Sequence, residues 1–162
     1  MKIPSYSLFF FLPAIFVFNS CTQVDLYEKD VAIPQFKWKS SYSPEFTFTI
    51  KDTTAQDELF LVLRHNEKYN YNNIWLNIYA QPPGDSMRKM SVEKKLASNE
   101  QGWFATAMDD IYEHRISLNQ DLVQQNFSFR KAGDYHFKIE QIMREDPLQN
   151  VMNVGLRIEK RP

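Results

Sequence analysis

Residues 132–140 have the sequence AGDYHFKIE, and this stretch decides the fold. Tyr135, Phe137 and Ile139 alternate with polar neighbours, which is the two-residue period of a strand that buries one face. Gly133 supplies the turn that precedes this strand. A tyrosine at position 135 would point inward and cross-link a sandwich corner through its hydroxyl. The stretch therefore predicts a corner of a β-sandwich, which is an architectural part rather than a catalytic one.

Similar apolar runs recur through residues 44–162, separated by turn signals such as PPGD at residues 82–85. We expect an all-β fold, an antiparallel β-sandwich of about eight strands, Ig-like or jelly-roll-like. A short helix is predicted over residues 118–125, and the more polar residues 87–96 are predicted to form an edge strand. The other expected strands lie at residues 46–50, 59–63, 74–79, 103–107, 111–118, 127–129, 135–139 and 151–159.

The first twenty residues predict an export signal. Lys2 precedes an apolar run over residues 8–18, which at ~1.5 Å per residue covers only about half of a ~30 Å hydrocarbon core. A basic residue followed by a short apolar core is typical of a secretory signal peptide. The run is followed by Ser20 and by Cys21, the sole cysteine.

A small residue directly before a cysteine at this position is typical of a bacterial lipobox. The thiol of Cys21 would receive a diacylglycerol, cleavage would fall before it, and its new amine would be acylated, as with palmitate. A cysteine carrying several acyl chains is a durable membrane anchor. The alternative is a free cysteine in an ordinary signal peptide.

The predicted organisation has three parts: a lipoprotein signal peptide at residues 1–20, a tether at residues 21–43 and the β-sandwich domain at residues 44–162. Within the tether, Val31, Ile33, Phe36 and Trp38 are spaced to dock on the domain as a first short strand.

Charge and motifs limit the classes of function. Removing residues 1–20 leaves 142 residues with a formal net charge of −2, a balance that argues against a nucleic-acid partner. His65, His114 and His136 are scattered and lack metal-ligand spacing. Acidic pairs such as residues 109–110 fit solvated strand ends, and no nucleophile elbow or phosphate-binding loop is present. We therefore expect no enzyme, no catalytic residues, no metal and no cofactor.

The aromatic residues allow two interpretations. Trp38, Trp75 and Trp103, with nearby tyrosines, fit core packing. The alternative is an exposed platform that stacks on sugar rings. Tyr69 and Tyr71 lie in a loop, so we expect them to be the exposed pair that contacts a glycan or a protein partner.

Five stretches carry a resemblance to a known family: YNNIWL at residues 71–76, GWF at 102–104, DI at 110–111, AGDYHFKIEQIMR at 132–144 and VGLRIEK at 154–160. Together with Cys21 after a short signal, they resemble the gliding-motility lipoprotein GldH family of Bacteroidetes. The resemblance implies an outer-membrane lipoprotein linked to gliding and to the type IX secretion machinery, with no known enzyme activity.

The resulting expectation is a non-catalytic lipoprotein of the outer membrane, anchored through Cys21. It would be an accessory component that binds envelope proteins of the gliding or secretion machinery. Its lone Asp25, in place of an acidic cluster after the cysteine, favours the periplasmic face. The alternative is a glycan-binding envelope lipoprotein that uses the loop with Tyr69 and Tyr71.

Overall fold

The computed structural model describes residues 27–54 and 56–160, so the predicted signal peptide and Cys21 lie outside the described residues. The described part contains thirteen β-strands and one α-helix. In chain order they are β1 Tyr27–Ala32, β2 Lys37–Trp38, β3 Glu45–Ile50, β4 Asp57–Asn66, β5 Asn73–Gln81, β6 Arg88–Lys95, β7 Ala97–Ser98, β8 Gly102–Trp103, β9 Thr106–Met108, β10 Ile111–Ser117, α1 Asn119–Gln124, β11 Gly133–Gln141, β12 Leu148–Gln149 and β13 Val151–Lys160.

Two antiparallel sheets contain most of these strands. One has five strands in the order β1-β13-β4-β10-β9, and the other has four in the order β3-β11-β5-β6. Two short ribbons, β12-β2 and β7-β8, complete the described part. The predicted all-β sandwich is therefore confirmed, and β6 is the edge strand that its polar sequence predicts.

One apolar core joins the two sheets. In β3, every second residue is buried, as the alternation of Phe46, Phe48 and Ile50 predicts. The ring of Phe48 stacks on those of Tyr135 and Phe137, with centroids 5.8 and 5.4 Å apart. It also packs at 5.3 Å against Tyr27 of the opposite sheet. Large rings from both sheets therefore close the sandwich.

The corner predicted around residue 135 is present. The Tyr135 hydroxyl donates to the Lys131 carbonyl at 2.9 Å and accepts from the Lys131 amide at 3.2 Å. Gly133 has a φ of +129°, a backbone conformation that residues with a Cβ rarely adopt. The turn and the inward tyrosine are therefore confirmed.

The strand predicted at residues 127–129 is wrong, because this segment is a loop. α1 matches the predicted helix, and the Phe127 amide donates to the Leu122 carbonyl at 2.8 Å as the chain leaves it. Phe127 and Phe129 are nevertheless buried, with their rings 6.1 and 5.1 Å from Tyr135. Ring packing, rather than strand pairing, explains the apolar alternation here. No helix in the described ranges combines the length and the hydrophobicity needed to cross a membrane.

The tether predicted over residues 21–43 is corrected from Tyr27 onward. β1 pairs with β13 along its whole length. Trp38 is fully buried, and its indole Nε1 donates to the Tyr42 carbonyl at 2.8 Å. Ser40 donates twice to the Asp146 carboxylate, from its hydroxyl at 2.7 Å and its amide at 2.8 Å. The folded domain therefore includes residues 27–43. Burial does not alternate along the six residues of β1, so its sequence shows no strand period.

The register also defines two ends of the sandwich. Tyr27, where the described chain begins, packs on Phe48, which lies opposite Tyr135. β11 then runs away from this Tyr27 end and finishes opposite Leu76 of β5. The seven residue-to-residue steps from Tyr135 to Ile142 span about 23 Å of extended chain. The start of β5 is therefore at the end of the sandwich opposite to Tyr27.

Candidate functional site

The structure buries one of the two tyrosines that the sequence groups as an exposed pair. Tyr69 is only 4% exposed, and its hydroxyl donates to the Asn73 carbonyl at 3.0 Å. Its ring packs on His65 with centroids 4.8 Å apart. The expectation that Tyr69 and Tyr71 form an exposed pair is therefore wrong for Tyr69, because the loop folds back onto the core. Trp75, which is 42% exposed, reaches the surface instead.

Trp75 lies in a shallow groove where the four-stranded sheet ends. The amide of Ile142 donates to the Trp75 carbonyl at 3.0 Å, and the Trp75 amide donates to Sδ of Met143 at 3.3 Å. These bonds continue the β5–β11 pairing past the end of β11 and hold the backbone beneath the exposed side chains. We call this feature of about 480 Å³ the Trp75 groove; it is lined by Tyr71, Asn73, Trp75, Ile142, Met143 and Arg144.

The groove combines apolar surface with one permanent cation. Ile142 is 38% exposed beside Trp75. Tyr71 packs edge-on against Tyr69 at 5.8 Å, and a hydrogen bond to the Glu145 carboxylate raises the pKa of Tyr71. Its phenol therefore stays neutral at physiological pH, and Arg144 adds a guanidinium suited to a carboxylate. The arrangement can hold an apolar side chain next to an acidic group.

The neighbouring outer face of the same sheet is occupied by its own contacts. Glu140 accepts hydrogen bonds from Asn77 at 3.0 Å and from the Tyr79 hydroxyl at 2.9 Å, and these bonds lower the pKa of Glu140. The ammonium groups of Lys89 and Lys138 lie 5.7 and 5.4 Å from the centre of the Tyr79 ring. Tyr79 therefore does not offer an open ring for stacking, and the described tyrosines do not assemble the platform required by the glycan alternative.

A second cluster joins two histidines that look unrelated in the sequence. β4 and β10 pair so that Tyr112 lies opposite His65 and Leu63 opposite His114, which makes the two histidines diagonal neighbours. Both are fully buried, and their Nε2 atoms are 2.9 Å apart. The two histidines are scattered in the sequence, but the fold brings them into contact. The partner of each could not be found from sequence, because 49 residues separate them.

His136 is exposed, as the alternation of β11 predicts, and its Nδ1 lies 2.9 Å from the Thr47 hydroxyl. Residues 109–110 form the exposed turn between β9 and β10. Within residues 27–54 and 56–160, no three histidine, cysteine, aspartate or glutamate side chains are grouped so that they could hold a metal ion.

Most of the chain matches a known protein family. The model of the GldH lipoprotein family matches residues 25–158. The chain belongs to the GldH lipoprotein family. The gliding motility lipoprotein GldH homolog of Christiangramia forsetii is 25% identical over 163 residues, which cover 96% of each chain. The gliding motility lipoprotein GldH of Flavobacterium johnsoniae is 24% identical over 157 residues, which cover 93% of each chain.

Among solved structures, a carbohydrate-binding module specific for non-crystalline cellulose, CBM28, is 11% identical, with a TM-score of 0.41. The match covers 83% of this chain and 72% of that one. A likeness of this size carries no inference about function.

Membership of the GldH family makes this chain a membrane-anchored lipoprotein associated with gliding motility. The stretches that resemble the family also meet in space. Residues 71–76 supply three residues of the Trp75 groove, and residues 132–144 supply the other three. The GldH-like sequence therefore coincides with an exposed apolar surface.

Proposed function

We propose that this protein is a non-catalytic accessory component of the gliding and type IX secretion machinery, and that it acts through protein–protein contacts at the Trp75 groove. The observation that carries the proposal is the exposed Trp75, set in a groove built wholly from two of the GldH-like stretches, residues 71–76 and 132–144. An exposed tryptophan contributes strongly to binding when a partner covers it. The groove offers apolar surface and Arg144, which suits an apolar side chain flanked by a carboxylate.

The anchor orients this groove. Cys21, the proposed lipid attachment site, precedes Tyr27 by six residues, which reach at most about 20 Å when fully extended. The Tyr27 end therefore stays close to the bilayer, and the Trp75 groove is at the opposite end. We place the protein on the periplasmic face of the outer membrane, where the groove faces envelope proteins rather than lipid.

The test of the groove is a crosslinked pull-down of the full chain from membranes of the source bacterium. Trp75→Ala should lower the yield of a crosslinked gliding or secretion protein by about tenfold or more, as for an interface residue worth ~1.4–2 kcal/mol. Phe104→Ala is the matched control, because Phe104 is 41% exposed and lies outside the groove. Equal recovery with both variants, or capture only of proteins outside this machinery, would contradict the proposal.

The anchor has a separate test. Cys21→Ala should abolish incorporation of labelled palmitate and release the chain from the outer-membrane fraction. Ser20→Ala, which keeps a small residue before the cysteine, should leave both unchanged. Labelled Cys21→Ala protein would refute the assignment of the lipid to this cysteine.

A further inference from the structure

The contacts of the buried histidine pair involve all four ring nitrogens. Besides the 2.9 Å contact between the Nε2 atoms, Nδ1 of His65 lies 2.7 Å from the Asn66 carbonyl oxygen. Nδ1 of His114 lies 3.0 Å from the Phe104 carbonyl oxygen. The pair therefore forms a chain of three contacts between two backbone carbonyls.

These three contacts need one more hydrogen than two neutral imidazoles carry. A carbonyl oxygen only accepts, so each Nδ1 needs a hydrogen, and the Nε2···Nε2 contact needs one more. Three contacts therefore require three hydrogens, whereas two neutral imidazoles carry two. The neutral pair is one proton short of filling its contacts.

Aromatic rings surround the pair. Tyr69, Trp103 and Tyr112 lie 4.8, 4.5 and 5.5 Å from the His65 ring, and Val151 of β13 is opposite His65. The two tyrosines are the titratable groups that face the pair from the loop after β4 and from β10, and burial raises the pKa of Tyr69. Aromatic rings attract a cation while excluding water.

The charged side chain next to His114 in β10 does not face the histidine pair. Glu113 lies between Tyr112 and His114 in β10, and its carboxylate pairs with Arg64 on the outer face of the sheet. Burial, followed by the neighbouring His65, lowers the pKa of His114 to about 4. Burial also lowers the pKa of His65. The surroundings therefore weaken the binding of a proton by the pair and oppose a second one.

We propose that His65 and His114 form a binding site for one proton taken from solvent, with His114 as the ring that gains it on Nδ1 and loses it from there. In the charged state, His114 carries hydrogens on both nitrogens and all three contacts are filled. In the neutral state, His114 keeps its hydrogen on Nε2, and its Nδ1 no longer donates to Phe104. His65 keeps its Nδ1 hydrogen in both states, because its carbonyl contact is the shorter one.

The distance shows that a hydrogen, and not a metal ion, lies between the two rings. A metal ion held linearly between two imidazoles needs the nitrogens about 4 Å apart, at ~2.0 Å per bond. The observed separation of 2.9 Å is that of a hydrogen bond. Loss of the proton frees the carbonyl of Phe104, whose ring lies at the surface, so the site couples acidity to the segment between β8 and β9.

The test is a pH titration, from 8 to about 3, of the full chain in detergent, labelled with ¹⁵N-histidine and ¹³C-carbonyl phenylalanine and asparagine. Imidazole ¹H–¹⁵N spectra report the tautomers, and the exposed His136 is an internal reference. We expect the pair to take up one proton in a single step, with the new hydrogen on Nδ1 of His114. The Phe104 carbonyl shift should follow with the same midpoint, whereas that of Asn66 should not.

Two variants separate the proton site from general effects of acid. His114→Gln should remove the step, and His136→Gln should leave it intact. Two proton uptakes by the pair, titration of His65 in place of His114, a Phe104 carbonyl that does not follow, or no uptake before the domain unfolds would each overturn the proposal. The wild-type titration decides the matter even if His114→Gln does not fold.

Discussion

Adding one methyl group at Gly155, in the middle of β13, should strongly destabilise the domain. Asp30 lies opposite Gly155 in the β1–β13 pairing, and its carboxylate forms an ion pair with Arg64 of β4 at 2.8 Å. A Cβ at position 155 would overlap this carboxylate and would lie 2.8 Å from the Lys29 carbonyl oxygen. Because that second neighbour is backbone, rotation of a side chain cannot relieve the contact.

The expected loss in the free energy of unfolding is the sum of two costs. Forcing an extra methyl into a close contact costs about 1–3 kcal/mol. Displacing the Asp30–Arg64 pair adds about 0.5–1 kcal/mol, because these side chains are 19% and 33% exposed and water partly screens them. With an unfolding entropy of ~2.1 cal/mol/K per residue over about 130 residues, a loss of roughly 1.5–4 kcal/mol lowers Tm by about 5–15 °C.

The assay is thermal unfolding of the full chain followed by circular dichroism in one detergent. Gly84→Asn is the control, because a Cβ at Gly84 has no atom within 4 Å and asparagine tolerates the φ of +68°. Combining Asp30→Ala with Gly155→Ala should recover about half of the lost Tm, because the overlap with the carboxylate disappears and the contact with Lys29 remains. A Gly155→Ala Tm within about 2 °C of wild type, or purely additive losses in the double variant, would refute the reasoning.

Three further predictions concern the corner and the histidine pair. Gly133→Val should cost about 2–4 kcal/mol, because φ is +129° and a Cβ would lie 2.9 Å from Cβ of Pro83; an unchanged urea midpoint would contradict this. Tyr135→Phe should cost about 1–2 kcal/mol by removing the hydroxyl bonded to Lys131, and a loss below about 0.3 kcal/mol in the same assay would show that the corner bond is not stabilising. Because the pKa of His114 is lowered from 6.5 to about 4, the unfolded chain binds this proton more tightly than the folded one. The stability that neutral His114 contributes to the folded state is therefore complete above about pH 6.5 and should fall by up to ~3 kcal/mol towards pH 4. Denaturant midpoints that rise on acidification would refute this sign.

Local pattern predicted the elements that bury one face. The alternation in β3 and β11 needs no knowledge of the partner strand, because each strand shows its buried side in its own sequence. β4 is different: the apolar run covers residues 59–63, yet the strand extends to Asn66. His65 lies beyond the apolar run in the sequence but is buried in the structure, since His114 and the Asn66 carbonyl satisfy its nitrogens.

The exposure of individual aromatic rings is the property that the sequence predicts least well. Tyr69 lies in a polar, asparagine-rich segment, and its burial depends on a hydrogen bond to the Asn73 carbonyl and on packing against His65. Trp75 shows the opposite case, since it lies within a strand yet is exposed on the outer face of the sheet. Which ring is covered depends on what another part of the chain places above it.

The sequence by itself determined the strand period, the need for a turn at Gly133, the inward Tyr135 and the resemblance to the GldH family. These features are local, because backbone sterics and the two-residue period act within a few residues of chain. Only the tertiary structure decided that residues 71–75 meet residues 142–144 in one groove, that His65 meets His114, and that Gly155 lies beneath Asp30. Strand order and register create these neighbours, and both depend on burying all strands in one common core, which no single segment encodes.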